Sequence, residues 1–240
     1  MKFITTSWDD GHVLDFKLAT LLHKYNLPGT FYIPKENPER AVMTEAEIYE
    51  LAKKFEIGGH TLHHTRLYNK EKLFLQNEIG GSFQWLQNLL GYAPVSFCFP
   101  GGVYTQTSVT AVFDCGYKVA RTTELLNTKT TTHRKLMPTT LQMYEHSKFT
   151  YIKHLVKRGK AVNLVKFLQA PFENAIQHLA EYYLNTMGDG DCFHLWGHSW
   201  EIEEQGLWQK LEDVLKTISN RPDFTYIQNR EILPGQFRNS

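Results

Sequence analysis

Short apolar stretches alternate with helix-like stretches along most of the chain. Seven stretches have the length and composition of buried strands: 3–8, 29–34, 55–59, 95–99, 117–122, 192–197 and 224–228, with 136–143 as a further candidate. Between them, apolar residues recur at helical spacing over 14–25, 70–90, 105–114, 172–187 and 208–219. Such alternation predicts an α/β fold with a parallel sheet and outer helices, either open or closed into a barrel.

Composition and charge narrow the class further. A chain of 240 residues with 42% hydrophobic side chains can bury one large core, so we predict a single domain over 1–240. The 26 basic and 25 acidic side chains give a net charge of +1. This balance disfavours binding to nucleic acid or to a membrane surface, since either partner selects a basic excess.

The N-terminus and the cysteines indicate a compartment. Residues 1–6 lack the apolar core of a signal peptide, and no apolar run has the length of a membrane span. Three cysteines without framework spacing do not suggest disulfides. We therefore expect a cytoplasmic protein; the sequence makes no prediction of its oligomeric state.

Asp9 and Asp10 directly follow the first predicted strand. Successive side chains at a strand end point in different directions, so one carboxylate can bind a metal while the other faces a water molecule. A solvated turn or a helix cap is the alternative interpretation, because Asp-Gly pairs are common in turns.

His60 and His64 follow the third predicted strand. If a helical turn begins after Gly59, their i, i+4 spacing puts both imidazoles on one face; His63 is the alternative partner of His60. A solvated helix start is the other interpretation. Together with one aspartate, two histidines supply the three protein ligands typical of a hydrolytic zinc site, and the second aspartate remains as a base.

Three later strand ends carry further candidates. The stretch 97–102 runs from an apolar strand into Pro-Gly-Gly, which is either a turn or a groove wall whose Gly101 N–H faces a substrate carbonyl. Strand alternation places His194, Trp196 and His198 on one face, so His198 is a candidate general acid, or else a rim histidine. Arg121 ends another strand and is a candidate to hold a carboxylate.

Taken together, these residues resemble the polysaccharide deacetylases with the NodB-homology domain. The matching segments are Ser7-Trp8-Asp9-Asp10, His60-Thr61-Leu62-His63-His64, the apolar strand into Pro100, and the late strand that ends at His198. The resemblance implies a distorted (β/α) barrel of about seven parallel strands with the active site at their C-terminal ends.

The resemblance also implies roles for single residues. Asp9 would be the general base and His198 the general acid, and Gly101 N–H would hold the oxyanion. A divalent metal would be bound by Asp10, His60 and His64. Trp200, just past the last motif, is a candidate substrate-binding residue. Asp/His₂ ligation favours zinc, although cobalt, nickel or iron also fit.

The chain departs from the family pattern in its third motif. Cys98 stands where the family has an arginine that steadies the base, and Arg121 is the candidate replacement. Gly101 stands where an aromatic residue is usual, which predicts a more open groove. The sequence does not identify an acidic partner for His198.

The leading hypothesis is metal-dependent removal of N-acetyl groups from an amino-sugar-containing oligo- or polysaccharide. Hydrolysis of a small amide, formamide or cyclic imide is the alternative within enzymes, and the open Gly101 position favours it. A non-catalytic sugar-binding protein on the same scaffold is the alternative outside enzymes, and the missing motif-three arginine supports it.

Overall fold

The computed structural model describes residues 1–130, 136–144 and 175–233, together with residues 152 and 156. These residues form a sheet in which every strand pairing is parallel. Its strands are β1 (Lys2–Asp9), β2 (Thr30–Ile33), β3 (Glu56–Gly59), β4 (Ser96–Cys98), β5 (Val119–Arg121), β6 (Leu136–Met137), β7 (Leu141–Gln142), β8 (Cys192–Gly197) and β9 (Phe224–Tyr226). The predicted α/β fold is confirmed.

The sheet is curled into an incomplete barrel. Its order is β6-β5-β4-β3-β2-β1-β8-β7, and β9 pairs with the first residues of β1, beside β2. Strands β6 and β7 lie at opposite ends of this order, yet only residues 138–140 separate them. Four residue steps span at most roughly 14 Å, so the two sheet ends must approach each other.

The strand count is higher than predicted because 136–143 forms two strands. Thr140 N–H donates to His194 O and Thr139 N–H to Glu124 O, so residues 138–140 bend between the two sheet ends. The single predicted strand therefore becomes β6, which pairs with β5, and β7, which pairs with β8.

Helices cover the outside of the sheet. They are α1 (Asp15–Lys24), α2 (Glu45–Ala52), α3 (Lys72–Leu75), α4 (Gly81–Leu90), α5 (Gln106–Asp114), α6 (Ala175–Thr186), α7 (Ser199–Glu204) and α8 (Trp208–Ile218). From the sequence, Thr44 is a candidate helix cap with Glu47 three residues on, and a capping box of these two residues starts α2. The sequence also predicts a helix within 146–169; apart from residues 152 and 156, this range lies outside the described residues. Among the helices described, none combines the length and apolar character that crossing a bilayer requires.

The helix predicted over 70–90 is interrupted. A π-helical turn, Gln76–Gly80, separates α3 from α4, and the left-handed Gly91 (φ +78°) ends the run. π-Helical turns concentrate at functional sites because they redirect side chains within a helix. This one carries the buried Glu78, which contacts the loop after β3.

A buried polar network closes the N-terminal end of the barrel. Asn229 accepts a hydrogen bond from Thr5 Oγ1 (2.8 Å), and its side-chain amide donates to Tyr32 Oη (2.8 Å). Glu56 accepts hydrogen bonds from Thr30 Oγ1, Ser96 Oγ and the backbone N–H of Arg230. Since buried polar groups are costly unless paired, this network ties the start of four strands to the segment after β9.

Candidate active site

The chain turns sharply where β1 ends. Asp10 has a φ of +79°, and its N–H donates to Tyr32 O at 3.0 Å. Gly11 follows with a φ of +62°, and a Cβ there would lie 2.6 Å from Ile33 Cγ2. Aspartate tolerates this conformation better than most residues, and the Gly11 position requires glycine. The turn sends the carboxylates of Asp9 and Asp10 into different surroundings.

Asp10 faces the two histidines predicted to share a metal with it. Asp10 Oδ1 lies 3.1 Å from His64 Nε2 and 3.5 Å from His60 Nε2. The ligand atoms of these three residues all lie within 4.8 Å of one another. The structure therefore brings Asp10, His60 and His64 together.

The two histidines lie on a loop and not on a helical turn. Residues 60–66 contain no helix, and Thr61 (φ +67°) and His64 (φ +51°) are left-handed. Thr65 N–H donates to Thr61 Oγ1 at 3.0 Å, which fixes this turn. The expected i, i+4 helical geometry is wrong: a strained loop, of the kind that functional sites retain, brings the imidazoles together.

Glu78 holds this loop from the π-helical turn. Its carboxylate accepts hydrogen bonds from His63 N–H (3.1 Å) and pairs with His63 Nδ1 (2.7 Å). Its backbone carbonyl accepts from Leu62 N–H. His63, the alternative partner of His60, is thus turned toward Glu78, while His64 is turned toward Asp10.

The donor set fits a divalent cation. His60 Nδ1 lies 2.9 Å from Cys98 O, and because a carbonyl only accepts, Nδ1 carries the proton. In neutral His60 the lone pair of Nε2 then faces Asp10 Oδ1, which accepts no hydrogen bond within the described part of the chain. Ligand atoms around tetrahedral zinc lie roughly 3.3 Å apart, close to the two distances observed here. A cation between these atoms would resolve the contact of two electron-rich groups.

Asp9 faces a permanent positive charge instead. Arg121 Nη2 donates to Asp9 Oδ1, and the whole Arg121 side chain is buried. The guanidinium also lies over the Trp196 ring, 4.6 Å from its centroid. Although burial opposes its charge, Asp9 and the surrounding groups raise the pKa of Arg121 further. Arg121 therefore holds the carboxylate of Asp9, the candidate general base.

Cys98 also faces Asp9, to which its thiol is a neutral hydrogen-bond donor. Its Sγ is 3.7 Å from Asp9 Oδ2, and burial raises the pKa of the thiol well above its usual value. Asp9, His60 and Cys98 also come close enough to form a second possible ligand group. We favour the Asp10 set, because Asp9 is already paired with Arg121 and metal binding requires a thiolate.

His198 completes the site and has an acidic partner. Its Nε2 lies 4.0 Å from Asp9 Oδ2, and its Nδ1 lies 3.1 Å from Glu201 Oε2. Burial lowers the pKa of His198, but Glu201, Asp10 and Asp9 outweigh it and raise that pKa. Glu201 was not predicted from the sequence. The signal that could have identified it is its position three residues after the strand-end His198, across the start of the short helix α7.

Trp200 lies beside the ligand set. Its indole N–H donates to Asp10 Oδ2 at 2.8 Å, and its ring is covered by the Arg40 guanidinium at 3.4 Å. This hydrogen bond leaves Asp10 Oδ1 directed at the histidines. The observed contacts of Trp200 thus orient a candidate metal ligand; substrate binding by its ring remains a prediction.

Arg66 borders the space beside Gly101. Gly101 has a φ of +64°, and a Cβ at this position would lie 2.9 Å from Arg66 Nε. Arg66 is an exposed side chain, and both residues line the same cavity. The more open groove expected at Gly101 therefore remains a prediction.

Comparison with known proteins identifies the family of the chain. A family model described as polysaccharide deacetylase matches residues 1–120. YxkH of Bacillus subtilis (strain 168), a protein named for the same family, is 27% identical over 126 residues, which are 51% of this chain and 45% of YxkH. The chain thus spans about half the length of the curated relative it matches.

Two solved structures share the fold over nearly the whole chain. One is a family 4 acetyl xylan esterase from Clostridium thermocellum in complex with a cobalt ion (17% identity, TM-score 0.60, 96% of this chain and 89% of the other). The other is the chitin deacetylase of the fungus Colletotrichum lindemuthianum (17% identity, TM-score 0.60, 97% and 87%). With its fold and half of its length matched, the chain belongs to the polysaccharide deacetylase family.

Proposed function

We propose that this protein is a metal-dependent hydrolase that removes N-acetyl groups from an amino-sugar-containing oligo- or polysaccharide. One observation carries the proposal. Asp9, held by the buried Arg121, and His198, held by Glu201, stand 4.0 Å apart beside the Asp10, His60 and His64 set. A base and an acid next to three ligands are the groups that amide hydrolysis requires.

Asp10, His60 and His64 would hold the metal. When bound, a divalent ion polarises a carbonyl and lowers the pKa of a water molecule, and zinc suits this donor set, with cobalt, nickel or iron as alternatives. Asp9 would take a proton from the attacking water through Oδ2, because Arg121 occupies Oδ1. Arg121 keeps this carboxylate oriented.

His198 would protonate the departing amine. Its raised pKa favours the imidazolium that this step needs, and Glu201 fixes the ring so that Nε2 points into the site. The Gly101 N–H would donate to the carbonyl oxygen as negative charge develops there. The base Asp9, the oxyanion donor Gly101 and the acid His198 would thus act on one acyl group.

Arg121 weighs against a purely sugar-binding protein. The replacement of the motif-three arginine by Cys98 supported that alternative, but a guanidinium from β5 meets the same carboxylate. A binding protein needs no buried ion pair on a spare carboxylate, because such pairs cost desolvation energy. The small-amide alternative stays open at Gly101, and separate measurement of acetate and formate decides between it and the sugar substrate.

The test is product release from zinc-loaded protein, with acetate, formate and free amine measured separately. The substrates are chitooligosaccharides, peptidoglycan fragments, small formamides and cyclic imides, and Asp9→Asn is the control. Acetate together with a new sugar amine, absent in the variant, is the expected result. Turnover of formamides or imides alone would contradict the proposal of a sugar substrate. Binding of sugars without turnover would contradict the proposal of an enzyme.

A further inference from the structure

Arg66 lies beside the candidate active site without a partner. It follows the ligand His64 by two residues, and its Nε approaches within 2.9 Å of the point where a Gly101 Cβ would lie. Within the described part of the chain, its guanidinium makes no hydrogen bond, ion pair or ring contact. Arg121, by contrast, is buried and donates through Nη2 to Asp9 inside the protein. Arg66 is therefore free to bind something that enters the site.

The surrounding cavity is adjacent to the reacting groups. It has a volume of about 430 Å³ and is lined by Glu39, His64, Thr65, Arg66, Tyr68, Lys70, Pro100 and Gly101. It includes one candidate metal ligand, His64, and the proposed oxyanion donor, Gly101. A substrate whose acyl group sits at these two residues has Arg66 beside it.

Charge determines what this cavity accepts. Arg66 and Lys70 contribute two positive charges, and Glu39 is the one carboxylate among the lining residues. Lys70 stays at the rim, where its ammonium lies over the Phe74 ring. Arg66 is nearest the reacting end, because it touches the Gly101 position. A guanidinium there matches a carboxylate in two-pronged geometry.

On the basis of the proposed function, we propose that Arg66 binds an anionic substituent of the substrate. This substituent is a carboxylate, either on the sugar that carries the scissile N-acetyl group or on the sugar next to it. Glycine at 101 leaves space beside this side chain, since a Cβ there would lie 2.9 Å from Arg66 Nε. The protein then prefers an acidic amino-sugar polymer over a neutral one.

The test compares matched substrates. Acetate release is measured for oligosaccharides containing N-acetylmuramic acid, for the same oligosaccharides with the lactyl carboxylate converted to the amide, and for neutral N-acetylglucosamine oligomers. An oligomer with the carboxylate on a neighbouring uronic acid separates the two sources of the charge. Wild type, Arg66→Gln and Arg66→Lys are compared with Lys54→Gln, which removes an exposed charge at the end of α2.

We expect Arg66→Gln to lower kcat/KM for one of the carboxylate substrates by roughly tenfold and to leave the amide form unchanged. Arg66→Lys restores part of the loss, Lys54→Gln has no effect, and added salt reduces the preference in wild type. Equal loss on charged and neutral substrates would overturn the proposal, because Arg66 would then act on the acyl oxygen. Equal wild-type rates on both forms would also overturn it.

Direct binding separates failure of this inference from failure of the proposed function. If no substrate releases acetate, the deacetylase proposal fails, and calorimetry with N-acetylmuramic acid and its amide still tests Arg66. Tighter binding of the acid by wild type, lost in Arg66→Gln, supports the anion site. Equal binding of the acid and the amide overturns it.

Discussion

The two adjacent carboxylates at the end of β1 meet opposite surroundings. Asp9 faces the buried Arg121, a cation that never loses its proton, and the neutral thiol of Cys98. Asp10 faces the lone-pair side of His60, the His64 ring and the Trp200 N–H.

The difference separates the two roles within one dipeptide. A carboxylate fixed to a permanent cation is held in place without a metal, so it can remain a base. A carboxylate facing imidazole nitrogens is ready to share a cation with them. If Asp9 were the metal ligand and Asp10 the base, the metal would lie next to Arg121, which repels a second cation.

The largest expected effect comes from changing each carboxylate in turn. Asp9→Asn should lower kcat by about a thousandfold, the scale of a lost general base, while zinc content stays near wild type. Asp10→Asn should lose both zinc and activity. Metal analysis after dialysis, together with acetate release, checks both variants. Loss of zinc in Asp9→Asn with retention in Asp10→Asn would reverse the assignment.

Replacement of Arg121 by an uncharged residue tests the surroundings of Asp9. Arg121→Met should destabilise the protein by about 3–5 kcal/mol, because it leaves the buried Asp9 carboxylate without its countercharge. Adding Asp9→Asn to Arg121→Met should recover part of this loss. Urea unfolding of the two single variants and the double variant gives the coupling. Additive losses would mean that the pair contributes nothing as a unit.

The loop that carries His60 and His64 is held by Glu78 of the π-helical turn. Glu78→Gln should weaken zinc binding roughly tenfold, because the two contacts that hold His63 in the ligand loop are weakened. Glu71→Gln, an exposed residue just before α3, is the matched control. Competition with a zinc-binding dye measures both affinities. An unchanged affinity in Glu78→Gln would show that the loop holds its shape without the carboxylate.

The smallest effect concerns pH. A general acid acts while protonated, so activity should fall as pH rises through the pKa of His198. Glu201 raises this pKa, and Glu201→Gln should therefore move the alkaline fall to lower pH. The profile of kcat/KM against pH checks the direction. A shift to higher pH would exclude Glu201 as the partner that stabilises the imidazolium.

Strand positions and the main site residues were predictable because they are local. The stretches that form β1, β3, β4 and β8 are buried runs, and parallel strands bring their C-terminal ends to one edge. Asp10, His60 and His64 therefore lie together although the helical turn expected for the histidines is absent. Arg121 was reachable in the same way, as the last residue of β5.

The missed features depend on contacts across the chain. Glu78 reaches His63 only because a π-helical turn rotates it, and helical periodicity contains no sign of that turn. Arg66 matters because Gly101, 35 positions away, leaves space for it. The split of 136–143 reflects the two ends of the sheet. Each is a tertiary effect that local pattern cannot encode.

The polar network around Asn229 has a consequence for synthesis. The strand that ends at Asp9 pairs with β2, made early, and with β8 and β9, made much later. Ser7 meets His194 across 187 positions, and Thr5 meets Asn229 across 224. β1 therefore leaves the ribosome long before β8 and β9 exist. Complete pairing of this strand requires residues that are made last, and such long-range pairing slows folding.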